Sequence, residues 1–163
     1  MRYSEPELTK ALVTARRYLK IQGPVAKVAT TLSRYMDCTD IIGLSGRPHE
    51  DLRSQIFAVM AEAYRVEGNV PLALKWYRRA SSISSSGYAP IYARLVCENQ
   101  ATEFYEDALK NLEEHLARWF ERPLRQRFFL RLRKWFSSEH RELARSKDRD
   151  LEFLRQHAVA KAA

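Results

Sequence analysis

One stretch constrains this chain more than any other: Ala61-Glu-Ala-Tyr-Arg-Val-Glu-Gly-Asn-Val-Pro-Leu-Ala-Leu-Lys-Trp-Tyr-Arg-Arg-Ala80. Ala61, Tyr64, Leu72, Trp76, Tyr77 and Ala80 recur at three- and four-residue steps, the period of one helix face. Gly68 breaks the pattern, and a glycine at a helix end takes a positive φ without a Cβ penalty. Asn69 is a good N-cap, and Pro71 falls in a first turn, where its missing N–H costs nothing. The spacing predicts one helix over 52–67 and a second over 70–83. Ala61, Ala73 and Ala80 would let the two approach closely, with Tyr77 filling the space beside them.

The same alternation of helix, turn and helix extends to both sides. Upstream, Leu8, Ala11, Leu12, Ala15, Tyr18 and Leu19 mark a helix over 5–22 with Ser4 as N-cap, and Gly23-Pro24 stops it. Val25, Val28, Ala29, Leu32 and Tyr35 mark a second helix over 24–36. Residues 37–50 hold two glycines and a proline and read as a connector, with Ile41, Ile42 and Leu44 tucked against the core. The serine run Ser81–Gly87 reads as a helix exit and loop. A third hairpin follows, with Tyr92, Leu95 and Val96 inward on a helix over 89–101 and Ala108, Leu109, Leu112 and Leu116 inward on one over 104–119. After Pro123, Leu124, Phe128, Leu132, Trp135 and Phe136 form a stripe flanked by Arg125, Arg127, Arg131, Arg133 and Lys134. A last helix is predicted over 148–160, with Leu151, Leu154 and Ala158 on its weak face. Strand-like alternation is absent, so the expected fold class is all-α.

The central hairpin resembles a tetratricopeptide repeat (TPR), a helix–turn–helix unit of 34 residues. Phe57, Met60, Ala61 and Tyr64 stand at that family's positions in the first helix. Gly68 and Asn69 stand at its turn, and Ala73, Tyr77 and Ala80 at its positions in the second helix. The terminal proline is missing, and Ser85 stands near its place. In the third hairpin the step from Ala73 to Ala108 is 35 residues. That step sets Tyr92, Leu95 and Val96 against Phe57, Met60 and Ala61, and Leu112 against Tyr77. Asn99 and His115 replace Tyr64 and Ala80, and there is no turn glycine. The first hairpin is degenerate, with two registers open. Aligning Gly23 with Gly68 puts Arg16 at the place of Ala61, whereas aligning Tyr18 with Tyr64 puts Ala15 there and shifts the turn.

The resemblance implies a right-handed α-solenoid of about three hairpins in a single domain, 1–163, sealed by basic capping helices over 123–163. It also implies a concave groove that holds a peptide or helix of a partner protein. On the first helices the groove positions fall on Arg16 and Lys20, with Arg17 depending on register. In the central repeat they fall on Gln55, Ala58, Glu62 and Arg65, and in the next on Ala93, Cys97 and Gln100. Glu62 sits among the arginines, so the groove is mixed. It lacks the Lys/Arg clamp of the TPR chaperone adaptors that grip a C-terminal aspartate. Small secretion-type chaperones also look like three such repeats, but they are usually acidic and this chain is basic.

The charge is lopsided. Of the net +8, residues 1–117 contribute 15 Lys/Arg against 14 Asp/Glu, and residues 118–163 contribute 13 against 6. Arginines interleaved with Trp and Phe make a nucleic-acid-binding C-terminal third the alternative expectation. A membrane surface is a third reading of the same basic stripe. No apolar run reaches the roughly 20 residues that span a bilayer, and the first residues carry no apolar signal segment. Cys38 and Cys97 make neither a disulfide framework nor a metal pair. His49, His115, His140 and His157 are scattered, and no phosphate-binding loop occurs. The expectation is a non-enzymatic, cytoplasmic scaffold, adaptor or chaperone with no metal or cofactor, either alone or as a subunit of a larger assembly.

Overall fold

The three predicted hairpins all form, and each closes by the same backbone device. In the computed structural model, which describes residues 3–36, 41–42, 50–83, 87–121 and 138–159, the chain is all-helical apart from one two-residue strand pair. The helices are α1 (Glu5–Lys20), α2 (Val25–Ser33), α3 (Glu50–Val66), α4 (Val70–Ile83), α5 (Ala89–Glu98), α6 (Tyr105–Glu121) and α7 (Ser138–Val159). A 3₁₀ turn, Thr102–Phe104, precedes α6. The chain divides into two compact units, Met1–Ser84 and Ser85–Ala163.

The turn between α3 and α4 follows the sequence closely. Gly68 has φ +81°. The Asn69 N–H donates to the Tyr64 carbonyl at 2.8 Å and the Gly68 N–H to the Arg65 carbonyl at 3.1 Å, the paired closure of a Schellman motif. The Asn69 side chain then accepts from the Leu72 N–H at 3.3 Å, which caps α4 as expected. At the end of α1 the left-handed residue is Gln22 (φ +51°) and not Gly23. The Gly23 and Gln22 N–H groups donate to Tyr18 and Leu19 at 2.8 and 3.0 Å, the same pairing shifted by one residue from the glycine. At the end of α5, Gln100 (φ +50°) takes the same place, and the Ala101 and Gln100 N–H groups close on Val96 and Cys97.

These turns fix the register that sequence left open. Gln22, Gly68 and Gln100 are equivalent, so Ala15, Ala61 and Ala93 each lie seven positions earlier, and all three are fully buried. Of the two registers for the first hairpin, the structure therefore matches the one that puts Ala15 beside Ala61. In the third hairpin the 35-residue step holds only for the second helix. From Gly68 to Gln100 is 32 residues, and the missing three are the 3₁₀ turn Thr102–Phe104. Tyr92 and Ala93, rather than Leu95 and Val96, stand against Met60 and Ala61.

In the first unit α3 is buried almost all round: Leu52, Ser54, Ile56 to Ala61 and Ala63 are covered. It packs on α1, α2 and α4 at once. Fully buried Ala61, Ala73 and Ala80 and nearly buried Tyr77 form the close α3–α4 seam. Phe57 and Trp76 cross it with ring centroids 5.5 Å apart. Tyr3–Ser4 pairs in parallel with Ile41–Ile42, a contact that the expected irregular connector did not include. The rest of the connector and Leu44 lie outside the described residues.

In the second unit α5, α6 and α7 each pack on the other two. The last helix starts at Ser138, ten residues before its predicted start. Its seam is Ser146, Asp150, Leu154 and Ala158, a strict four-residue step in which only two members are apolar, so hydrophobic periodicity under-reports it. On α6 the inward set is Tyr105, Ala108, Asn111, Leu112 and His115, while Leu109 and Leu116 are half-covered. The basic stripe around Arg125, Arg127, Arg131, Arg133 and Lys134 lies outside the described residues.

Candidate functional site

In the first unit, α1 and α3 bring two predicted groove residues together. Arg16 donates from its guanidinium to the Gln55 amide oxygen at 2.8 Å across 39 residues of sequence. One helical turn apart on α3, Arg65 grips Glu62 with two bonds, Nε to Oε2 at 2.8 Å and Nη2 to Oε1 at 2.6 Å. Tyr77 of α4 donates its hydroxyl to the same Glu62 at 3.0 Å. Burial alone would push the Glu62 carboxyl up. The bonds and charge of Arg65, with the Tyr77 hydroxyl, outweigh it and hold the group below its ordinary value. The Glu62 and Arg65 charges are thus spent on each other. Arg16, bonded to a neutral amide, and the exposed Lys20 carry the positive charge left on this face.

Ala58 departs from the expectation: it is buried, on the α3 face that Gln55 turns toward α1. In the second unit none of the three predicted positions lines an open groove. Ala93 is fully buried as the counterpart of Ala61. Gln100 serves as the left-handed residue of the turn. Cys97 backs onto α7, its sulfur 3.8 Å from the Asp150 carbonyl. The helix that follows the hairpin covers the face that the repeat pattern would leave open.

A buried polar cluster at that contact is absent from any motif. Asp150 is 4% exposed, and its Oδ2 has no hydrogen-bond partner. Ser146 bonds to its carboxyl, and the charges of Arg149, Arg94 and Glu98 reach it. Burial, the largest effect, pushes the Asp150 carboxyl up. Burial, followed by the Asp150 charge, also pushes the Cys97 thiol up to about 12, so it stays protonated at neutral pH and is no thiolate nucleophile. Nearby, Tyr105 meets Phe153 edge-on at 5.6 Å and His157 at 6.0 Å. Arg155 ties α7 to Glu113 of α6 at 2.9 Å.

A second pairing was also invisible in the sequence. Tyr92 of α5 donates to Asp107 of α6 at 3.3 Å, and Asn111 adds a bond at the same distance. Like Tyr77 and Glu62, the two partners are 15 residues apart, so a tyrosine–carboxylate clasp spans the turn in both hairpins with the helices exchanged.

Comparison with known protein families, curated proteins and solved structures returns no match to this chain. Among the described residues no group of His, Cys, Asp and Glu is arranged to hold a metal ion. No helix there is long and apolar enough to cross a membrane.

Proposed function

We propose that this protein is a non-enzymatic, TPR-like interaction module, an adaptor, scaffold or chaperone that binds a peptide or helix of a partner protein. The observation that carries this reading is the shared construction of the three hairpins. Each ends its first helix at a left-handed residue with the same paired closure, and each buries an alanine seven positions before it. Such regular units, each unable to bury its apolar face alone, are how helical repeats build extended binding surfaces. The binding face proposed is that of α1 and α3 at Arg16, Lys20 and Gln55, with Glu62 and Arg65 as a neutral, pre-ordered neighbour. An elevated Cys97 thiol fits a packing role better than a catalytic one. Two cysteines without a disulfide framework fit a reducing, cytoplasmic setting.

Affinity capture from the native extract tests it. Arg16→Glu with Lys20→Glu should abolish capture of the partner, while Arg127→Glu with Arg131→Glu should leave it intact. The excess of 13 Lys/Arg over 6 Asp/Glu in residues 118–163 favours a second reading, a basic helical protein that binds RNA or DNA. Under that reading the two double variants exchange roles, and the wild type is retained on heparin in a salt-dependent way.

A further inference from the structure

We propose that the open groove between α1 and α2 docks an acidic amphipathic helix of a partner protein. This rests on the interaction-module reading and assigns it a second surface, distinct from the α1–α3 face. The groove encloses about 460 Å³ and is lined by Glu7, Lys10, Ala11, Thr14, Thr30, Thr31 and Arg34.

The floor decides what kind of guest fits. Thr14, Thr30 and Thr31 each donate their hydroxyl to a carbonyl of their own helix, at Lys10, Ala26 and Lys27, at 2.7–2.9 Å. Their protons are committed, so the floor offers methyl groups and Ala11 rather than donors. A phosphate or other small anion needs donors converging on it. A helix needs a shallow apolar bed of small residues that lets its backbone come close, with polar contacts along the rims.

The rims set the sign of the guest. Lys10 and Arg34 stand on opposite sides of the groove, and helical spacing continues them with Arg17 on α1 and Lys27 on α2, so that four cations outweigh Glu7, the one carboxylate of the lining. None of these four pairs with a carboxylate among the described residues, and two are held in place by aromatic rings. Lys27 Nζ lies 5.8 Å from the Tyr18 ring and the Arg34 guanidinium 4.6 Å from the Tyr35 ring. Positioned cations lose less freedom when a carboxylate arrives.

The chain supplies its own precedent. The α5–α6 hairpin receives α7 against both of its helices and fastens it with a rim charge pair, Glu113 to Arg155. The α1–α2 hairpin receives α3 in the same manner on one side. The threonine-floored groove is lined by the same two helices and by no residue of α3, no other helix among the described residues packs on them, and its rims carry the opposite sign to Glu113.

The test is fluorescence anisotropy with the full chain and a stapled helical probe, one face of Ala and Leu and both flanks of Glu. The same probe with Lys for Glu, a single-stranded oligonucleotide and phosphatidylserine vesicles serve as comparisons. The Glu probe should bind at low salt and weaken as salt rises. Lys10→Glu with Arg34→Glu, and separately Thr14→Tyr, which fills the groove without changing charge, should each weaken it by about tenfold or more. Thr30→Val should leave affinity within about twofold, because only methyl groups meet the guest. Circular dichroism checks that each variant folds, and Thr31→Tyr replaces Thr14→Tyr if that one does not. Equal binding of the Lys probe, or indifference to groove filling, overturns the proposal. Oligonucleotide or vesicle binding with the same sensitivity to both variants overturns it in favour of a general polyanion surface. If these fail while Arg16→Glu with Lys20→Glu still abolishes partner capture, the interaction reading stands and only this groove is lost.

Discussion

Two glutamines hold the backbone geometry that a glycine holds in the central turn. An L-residue in the left-handed region costs about 1–2 kcal/mol, and glycine escapes that cost. Gln22→Gly and Gln100→Gly should therefore each stabilise the protein by roughly 0.5–1 kcal/mol, after allowing for the greater freedom of glycine in the unfolded chain. Gly68→Ala should destabilise it by about 1 kcal/mol. Nothing lies within 4 Å of a Cβ built on Gly68, so that cost is conformational and not a clash. Urea unfolding at neutral pH reads all three, and a loss of stability in either glutamine variant would refute the assignment. The same positions mark where sequence reading stops. A Gly-Asn pair announces its turn, whereas a glutamine at positive φ leaves no signature. A period-based alignment of the third hairpin therefore falls three residues out, and it sets Ala93 in a groove although the residue belongs to the core.

At the scale of the element, α7 is the helix whose placement the sequence described least well. Its seam holds a serine and an aspartate where a period-based reading looks for apolar residues. A buried carboxylate with an unsatisfied oxygen costs about 1–3 kcal/mol unless something compensates it. Asp150→Ala removes that group and keeps a small residue in the seam between Ser146 and Leu154. It should raise stability at neutral pH by about 1–3 kcal/mol, against the usual trend for core substitutions. Thermal unfolding at pH 7 measures it, and a decrease would mean that the carboxylate is structurally required. The four-residue step of Ser146, Asp150, Leu154 and Ala158 is present in the sequence, but hydrophobic patterning gives weight to side-chain polarity, and spacing alone is a weaker signal.

For the molecule as a whole, the two units should answer acid in opposite directions. Glu62 sits below its ordinary value, so the stability it lends the first unit is present above about 4.5 and is lost as pH falls through its lowered value. Asp150 sits above its ordinary value, so its unfavourable effect grows as pH rises past 3.8 toward the raised value and fades on acidification. Hydrogen exchange followed from neutral pH to below about 4.5, corrected for intrinsic rates, should show protection falling in α3 and α4 at the acid end and rising in α5 and α7. Tyr77→Phe should reduce the first effect and Asp150→Ala should remove the second, and a change of the same sign in both units would contradict the argument. At this scale the helical class and the three hairpins were legible, because amphipathic period and turn residues are local. The covered face of the third hairpin was not, because it depends on how α7 packs.

The parallel pairing of Tyr3–Ser4 with Ile41–Ile42 bears on how the protein folds in time. Each clasp across a hairpin joins residues 15 apart, whereas this strand pair joins residues 38 apart, around the whole α1–α2 hairpin. Closing a longer loop costs more entropy, and contacts near in sequence form first. The helical hairpins should therefore collapse early and quickly, leaving the strand pair as a late latch that fastens the start of the chain to the entrance of α3.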